Sequence, residues 1–180
     1  INENNYIKIS YFKHSPPKKQ IGNVNFLIDQ AKGDYVTLIH DDDYLLDNCL
    51  LDLSKPMLAN TAIDVSFGKQ YIVDMIGYID KKKSEDLNKG YYRTSSYAGS
   101  VLSAYQSGIL QQFPNNGYLM KADLIKKYNY SIDFDNVGSA CDFFFSFNLG
   151  LNKLNFYFVN TYTAAYRVGN EKVSSASLND

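Results

Sequence analysis

The chain reads as a series of short periodic segments separated by polar turns. Tyr6 to Phe12 alternates, with Ile7, Ile9 and Tyr11 on one side, which predicts a strand. His14-Ser15-Pro16-Pro17-Lys18-Lys19 is a loop, because its prolines forbid helix and its lysines favour water. Val24, Leu27, Ile28 and Ala31 then recur at helical spacing, with Gly33 as the expected C-cap. The run Tyr35-Val36-Thr37-Leu38-Ile39 predicts a buried strand. Residues 6–39 thus form a strand-helix-strand unit, which suggests parallel pairing.

Further along, Asp47 is placed to N-cap a helix carrying Leu50, Leu51 and Leu53 and disturbed at Pro56. Ile63–Phe67 and Lys69–Val73 predict strand. Asp74-Met75-Ile76-Gly77 predicts a hairpin turn into a short strand that ends at Lys81-Lys82-Lys83. Residues 83–96 are polar and read as a mobile surface loop. Residues 98–112 have helical character weakened by Gly99 and Gly108. A short strand at Tyr118-Leu119-Met120, a helix over 122–128 and an apolar helix from Cys141 to Leu149 follow. Two strands, 154–159 and 161–167, close the fold, and a loosely held tail begins at Gly169.

A length of 180 residues suits one domain with a proper core. The 18 basic and 19 acidic residues nearly cancel, which argues against bulk nucleic-acid binding. Sixteen Tyr and eleven Phe with no Trp could line a sugar cleft, although scattered tyrosines commonly pack with one wet end. Cys49 and Cys141 are far apart and in no metal-binding spacing, so reduced thiols in a cytoplasmic protein are expected. No apolar run approaches the ~20 residues of a membrane span. The chain begins at Ile1 without a methionine, which suggests that an N-terminal part is missing.

Chemistry concentrates at Asp41-Asp42-Asp43, directly behind the apolar run and His40. Adjacent carboxylates repel each other unless a cation sits among them. The crevice beyond the C-terminal ends of strands in open α/β sheets is also where ligands bind. A divalent metal and a phosphate-bearing ligand are therefore expected here. The alternative is one capping carboxylate and two solvated ones.

The stretch from Asn25 through Ala31-Lys32-Gly33-Asp34-Tyr35 to Asp43 resembles the core signature of family 2 glycosyltransferases, inverting enzymes of the GT-A fold. A second resemblance lies at Phe134-Asp135 and at Asp142 followed by Phe143-Phe144-Phe145, where that family places its catalytic base. The resemblance implies an α/β fold of the GT-A nucleotide-diphospho-sugar transferase type, with a mixed, mostly parallel sheet flanked by helices. It implies a single, partial domain over residues 1–180, with a donor- and metal-binding half at 1–60 and an acceptor-binding half at 61–180. Asp42 would be the principal ligand of Mn²⁺ or Mg²⁺, with Asp43 alongside and Asp41 near the donor ribose. Lys19, Asn25 and Gly117 would contact the donor, and Asn115 and Asn116 belong to the loop lining the sugar and acceptor pocket.

Asp142 is the candidate general base for a single displacement, though Ser139-x-x-Asp142 equally fits a helix capping box. Lys19 equally reads as a solvated loop residue and Asn25 as a helix-stabilising one. His40 stands where relatives often carry Asp, as a weak ligand or a packed neighbour. The chain departs from the family pattern in two further places. Cys141 replaces a common Glu, and the usual His after the last strand is absent, with Arg167 and Lys172 the nearest polar candidates.

The expected activity is transfer of a sugar from a nucleotide-diphosphate donor to a saccharide or lipid-linked acceptor in the cytoplasm, at or near the membrane face. The alternative is a truncated or inactive relative that binds saccharide or protein. A metal-dependent phosphatase or nuclease would want more acidic or histidine ligands than the sequence offers.

Overall fold

The structure is a computed structural model and describes residues 8–130 and 140–169. Its elements in chain order are α1 (Lys19–Gln30), β1 (Tyr35–Val36), β2 (Tyr44–Leu45), α2 (Cys49–Ala59), β3 (Val65–Val73), β4 (Ile79–Asp80), α3 (Lys81–Gly90), α4 (Ala104–Ile109), β5 (Tyr118–Lys121), α5 (Ala122–Lys127), α6 (Cys141–Leu151) and β6 (Phe156–Arg167). The strands form one sheet in the order β1-β5-β3-β6-β2, with β4 paired to β3.

Both faces of this sheet are covered, and the period-2 pattern of its strands explains how. Tyr118 and Met120 of β5 and Phe156 and Phe158 of β6 face a core shared with Ile28 of α1, Ile125 of α5 and Phe145 and Leu149 of α6. The intervening Leu119, Tyr157 and Val159 face α2, whose Cys49, Leu53 and Met57 form the second core. Burying Leu53 and Met57, each almost fully enclosed, contributes roughly 1.5–3 kcal/mol apiece. The stretches 1–60 and 61–180 build this sheet together, since β1 pairs with β5 and β2 with β6.

The mixed α/β architecture agrees with the sequence reading, but the predominance of parallel pairing does not. Among the described residues only β3 and β6 pair in parallel, and the pairings β1–β5, β2–β6, β3–β4 and β3–β5 are antiparallel. Residues 8–14 carry no strand, so the parallel unit expected from 6–39 does not form within the described part. Instead Phe12 and His14 pack edge-on against Phe26 of α1. The buried strand expected at 35–39 shortens to the two residues of β1, which lies at the sheet edge, and Ile39 is 43% exposed.

Other expectations are revised. Residues 83–96 are not a loop through their length, because α3 occupies 81–90. Asp80 starts this helix by accepting from the backbone N–H of Lys83. The helix docks through polar groups rather than an apolar stripe. Asn88 donates to the carbonyl of Gln70 (2.8 Å) and accepts from its N–H (3.1 Å), while the Ser84 hydroxyl accepts from the N–H of Ile72 (2.8 Å). These side chains complete the edge of β3 between its short pairings with β5 and β4.

The segments 154–159 and 161–167 merge into one twelve-residue strand, and 63–67 and 69–73 likewise merge into β3, with a register irregularity around Gly68. Helix α2 runs through Pro56 to Ala59, and Asn48 rather than Asp47 stands at its N-cap position. Helix α1 ends at Ala31 in extended conformation, so Gly33 is not a left-handed cap. The hairpin at 74–77 forms as expected, with Gly77 at φ +89° and Asp74 accepting from the N–H groups of Ile76 and Tyr78. Ser139, Asp135 and Lys172 lie outside the described residues.

Candidate active site

The three carboxylates lie in the segment that carries the chain from one sheet edge to the other. β1 and β2 are the two ends of the strand order, so residues 37–43 must cross about four strand spacings, roughly 19 Å. The crossing is not fully extended, since the Asp43 N–H donates to the carbonyl of His40 (3.3 Å) across a turn at residues 41–42. It passes over the end of the sheet where β6 finishes and β5 begins. Gly117 donates its N–H to the carbonyl of Leu38 (3.3 Å), and Arg167 donates its N–H to Asp43 Oδ1 (2.8 Å).

The carboxylates differ sharply in environment. Asp41 and Asp42 are exposed, whereas the Asp43 side chain is fully enclosed. Asp43 Oδ2 accepts from the amide of Asn116 and lies 3.8 Å from His40 Nδ1. Burial pushes the Asp43 carboxyl above the ordinary aspartate range. The backbone N–H of Arg167 opposes that shift, the charge of Asp42 adds to it, and His40 and Asn116 oppose it further. Arg167 braces the whole corner: its guanidinium donates to the carbonyls of Asp42 (2.8 Å), Asp74 (2.8 Å) and Met75 (2.9 Å).

His40, Asp42 and Asp43 each offer a donor atom within 4.8 Å of the other two. A mixed carboxylate and imidazole set suits Mn²⁺, and its oxygen atoms suit Mg²⁺. Each Asp43 oxygen accepts one hydrogen bond and keeps a lone pair, so these residues fit a divalent cation. His40 completes a trio for which the sequence reading offered Asp42 and Asp43, while Asp41 falls outside it.

Asp142 stands in the first turn of α6 and accepts a hydrogen bond from the Asn115 amide (2.9 Å). It lines a cavity of about 260 Å³ whose wall includes Gln70, Tyr91, Arg93, Asn115 and Tyr166. The Tyr166 hydroxyl is held above the usual tyrosine range by burial and then by the negative charges of Asp43, Asp42 and Asp142 among others. Tyr166 therefore lies within electrostatic reach of both carboxylate groups. Tyr118 and Tyr130 are shifted the same way, chiefly by burial, with Asp142 adding to each.

The remaining sequence candidates are placed less centrally. Both ends of the Asn25 amide bond the backbone of Tyr130, donating at 2.6 Å and accepting at 3.0 Å, and so clamp α1 to that segment. Lys19 is exposed at the start of α1 with φ +57°, and Lys18 lies over the Phe26 ring at 4.4 Å. Gly117 has φ +66°, and a Cβ there would come within 2.4 Å of the Ala164 Cβ, so it permits the turn before β5 to lie close against Ala164 of β6. Arg93 and Gln70, both buried at the cavity, were not singled out from sequence. Lone polar residues in unremarkable segments carry no spacing signal.

The helix-flanked mixed sheet, with its carboxylate-bearing crossing over one end, has the GT-A fold of the neighbours it matches. The sequence profile of glycosyl transferase family 2 matches residues 2–113, more than half of the chain, and the protein belongs to that family. The sequence is similar to the GalNAc(5)-diNAcBac-PP-undecaprenol beta-1,3-glucosyltransferase of Campylobacter jejuni, at 26% identity over 139 residues, covering 69% of this chain and 44% of that protein. The fold is similar to S. aureus TarS 1-349 in complex with UDP-GlcNAc, with a TM-score of 0.60 and 16% identity, covering 84% of this chain and 40% of the other. The same TarS fragment in complex with UDP gives a TM-score of 0.53 at 16% identity, covering 80% and 38%. The chain thus spans less than half the length of these relatives. No helix among the described residues is long and apolar enough to cross a membrane.

Proposed function

We propose that the protein transfers a sugar from a nucleotide-diphosphate donor to a saccharide or lipid-linked acceptor hydroxyl with inversion at the anomeric carbon. The observation that carries this reading is the pairing of two carboxylate sites through adjacent residues. Asn115 holds Asp142 at the cavity, while Asn116 holds Asp43 beside Asp42 and His40. Single displacement needs a base on one side of the sugar and stabilisation of the departing diphosphate on the other.

Asp142 would take the acceptor proton as the new C–O bond forms and the bond to the diphosphate breaks, with the Asn115 N–H keeping its carboxylate oriented. His40, Asp42 and Asp43 would hold Mn²⁺ or Mg²⁺, which supplies positive charge to the leaving diphosphate. Tyr166, which lines the cavity with Asp142, would pack against the bound donor. The C. jejuni relative acts on a lipid-linked saccharide by name, and the TarS neighbour binds UDP-GlcNAc; a lipid-linked acceptor and a UDP-sugar are therefore the first to test.

The test uses UDP-sugars and GDP-sugars with manganese. Asp142→Asn is expected to lose transfer while keeping donor affinity, and Asp42→Ala to lose manganese-dependent turnover. Wild-type protein showing no manganese-dependent affinity for any nucleotide diphosphate would leave a saccharide- or protein-binding module instead.

A further inference from the structure

We infer that Arg93 is a positioning residue, which fixes through two intervening amides the atom that Asn116 presents to Asp43. Its functional weight rests on the reading of Asp43 proposed above. Arg93 is 3% exposed and forms no ion pair among the described residues. Its Nε donates to the carbonyl of Gln112 (2.7 Å), its Nη2 to that of Gln111 (3.2 Å), and its Nη1 to Gln70 Oε1 (2.8 Å). Gln70 Nε2 donates to Asn116 Oδ1, and Asn116 Nδ2 donates to Asp43 Oδ2.

The direction of this relay follows from chemistry. A side-chain amide has two ends of similar shape, so its partners decide which way it faces. Arginine has donors only, and an ionised carboxylate has acceptors only. An amide beside Arg93 must turn its oxygen toward it, which sends its nitrogen onward. The next amide must do the same, and an N–H then arrives at Asp43. With a guanidinium at one end and a carboxylate at the other, one orientation satisfies every member, and three hydrogen bonds link the buried positive charge to a negative one.

The relay cannot easily swing aside. Asn88 grips both backbone groups of Gln70, and all four relay residues except Asp43 are at most 5% exposed. The outcome is a carboxylate of fixed plane, held by Asn116 on Oδ2 and Arg167 on Oδ1, with its remaining lone pairs available to the group it forms with His40 and Asp42.

Gln70→Glu separates orientation from folding. The introduced carboxylate still accepts from Arg93 but can no longer donate, so Asn116 meets an acceptor on both sides, and any turn that serves position 70 brings its oxygen toward Asp43. The expected result is a protein that still unfolds cooperatively, since Arg93 keeps its acceptor, together with at least tenfold weaker Mn²⁺ affinity by titration of free manganese. The ¹⁵N side-chain amide signal of Asn116, assigned by its loss in Asn116→Asp, should move. Arg93→Met should move the same signal, and Arg93→Lys, which keeps a donor, should restore it toward the wild-type position. A Gln70→Glu protein with the Asn116 signal in place and Mn²⁺ affinity within twofold of wild type would overturn the inference. Should wild-type protein bind no Mn²⁺, the proposed metal role falls, while the amide signal alone still decides whether Arg93 directs the relay.

Discussion

Asn115 and Asn116 are neighbours in the chain, yet their amides serve different carboxylates, the first Asp142 and the second Asp43. One turn before β5 thus sets the relation between the cavity and the carboxylate-rich crossing. Asn115→Ala would leave the protein folded and, in the proposed reaction, lower kcat roughly 3- to 10-fold, the worth of one hydrogen bond of about 1 kcal/mol. Steady-state kinetics at saturating donor would read it, with KM for donor little changed.

Removing the buried carboxylate should cost stability where removing its exposed neighbour should not. Asp43→Ala deprives the Arg167 N–H and the Asn116 amide of their acceptor, at a cost of about 1–3 kcal/mol in urea unfolding. Asp42→Ala changes an exposed side chain and is expected to stay within about 0.5 kcal/mol. Equal losses for the two variants would contradict the difference in burial.

Gly117→Ala combines a left-handed backbone with a clash, since the added methyl would meet the Ala164 Cβ at 2.4 Å. A loss of about 2–4 kcal/mol is expected from strain and overpacking together. Ala164→Gly in the same chain should restore part of it by relieving the clash, but not the share due to φ +66°. A thermal melt of the single and double variants separates the two contributions.

Asn88→Ala exposes the dependence of α3 on polar docking. It leaves both backbone groups of Gln70 without their side-chain partner and should destabilise by about 2–4 kcal/mol, as two buried groups go unsatisfied. Native-state hydrogen exchange would show the loss concentrated at Gln70 and along α3.

The thiols predict a pH dependence of definite sign. Burial pushes Cys49 and Cys141 from 9.0 up to about 11, with Asp52 and Asp142 respectively adding to the effect. Because the folded value lies above the unfolded one, their contribution to stability is complete below about pH 9 and disappears as pH rises through about 11. At pH 8, iodoacetamide should label the native thiols ~100-fold more slowly than the unfolded ones from ionisation alone, a difference of about two pKa units. Urea unfolding at pH 8 and pH 11 checks the first statement and mass spectrometry the second.

What the sequence disclosed followed the strength of its periodicity. Helices α1, α2 and α6 and strands β3 and β6 are carried by apolar spacing and lie close to their predicted places. Helix α3 was illegible because its buried face is Ser84 and Asn88, whose purpose appears only when Gln70 stands opposite with unpaired backbone groups. Pairing direction was hidden for a similar reason, since β1 and β2 are two residues each and take their partners from distant segments. At the site, Asp41-Asp42-Asp43 and Asp142 stood out as carboxylates in distinctive surroundings, whereas Arg93, Gln70 and the placement of His40 emerge only from three-dimensional contacts.

Arg167 joins parts of the chain far apart in sequence. One side chain grips the carbonyls of Asp74 and Met75 at the hairpin, and also the carbonyl of Asp42. The hairpin tip beyond it displays Met75, Ile76 and Tyr78 at 65%, 91% and 73% exposure. Leverage on that greasy tip, from whatever surface it meets, is transmitted by the Arg167 guanidinium to the peptide that carries the carboxylates, so the tip and the carboxylate corner cannot shift separately while this rivet holds.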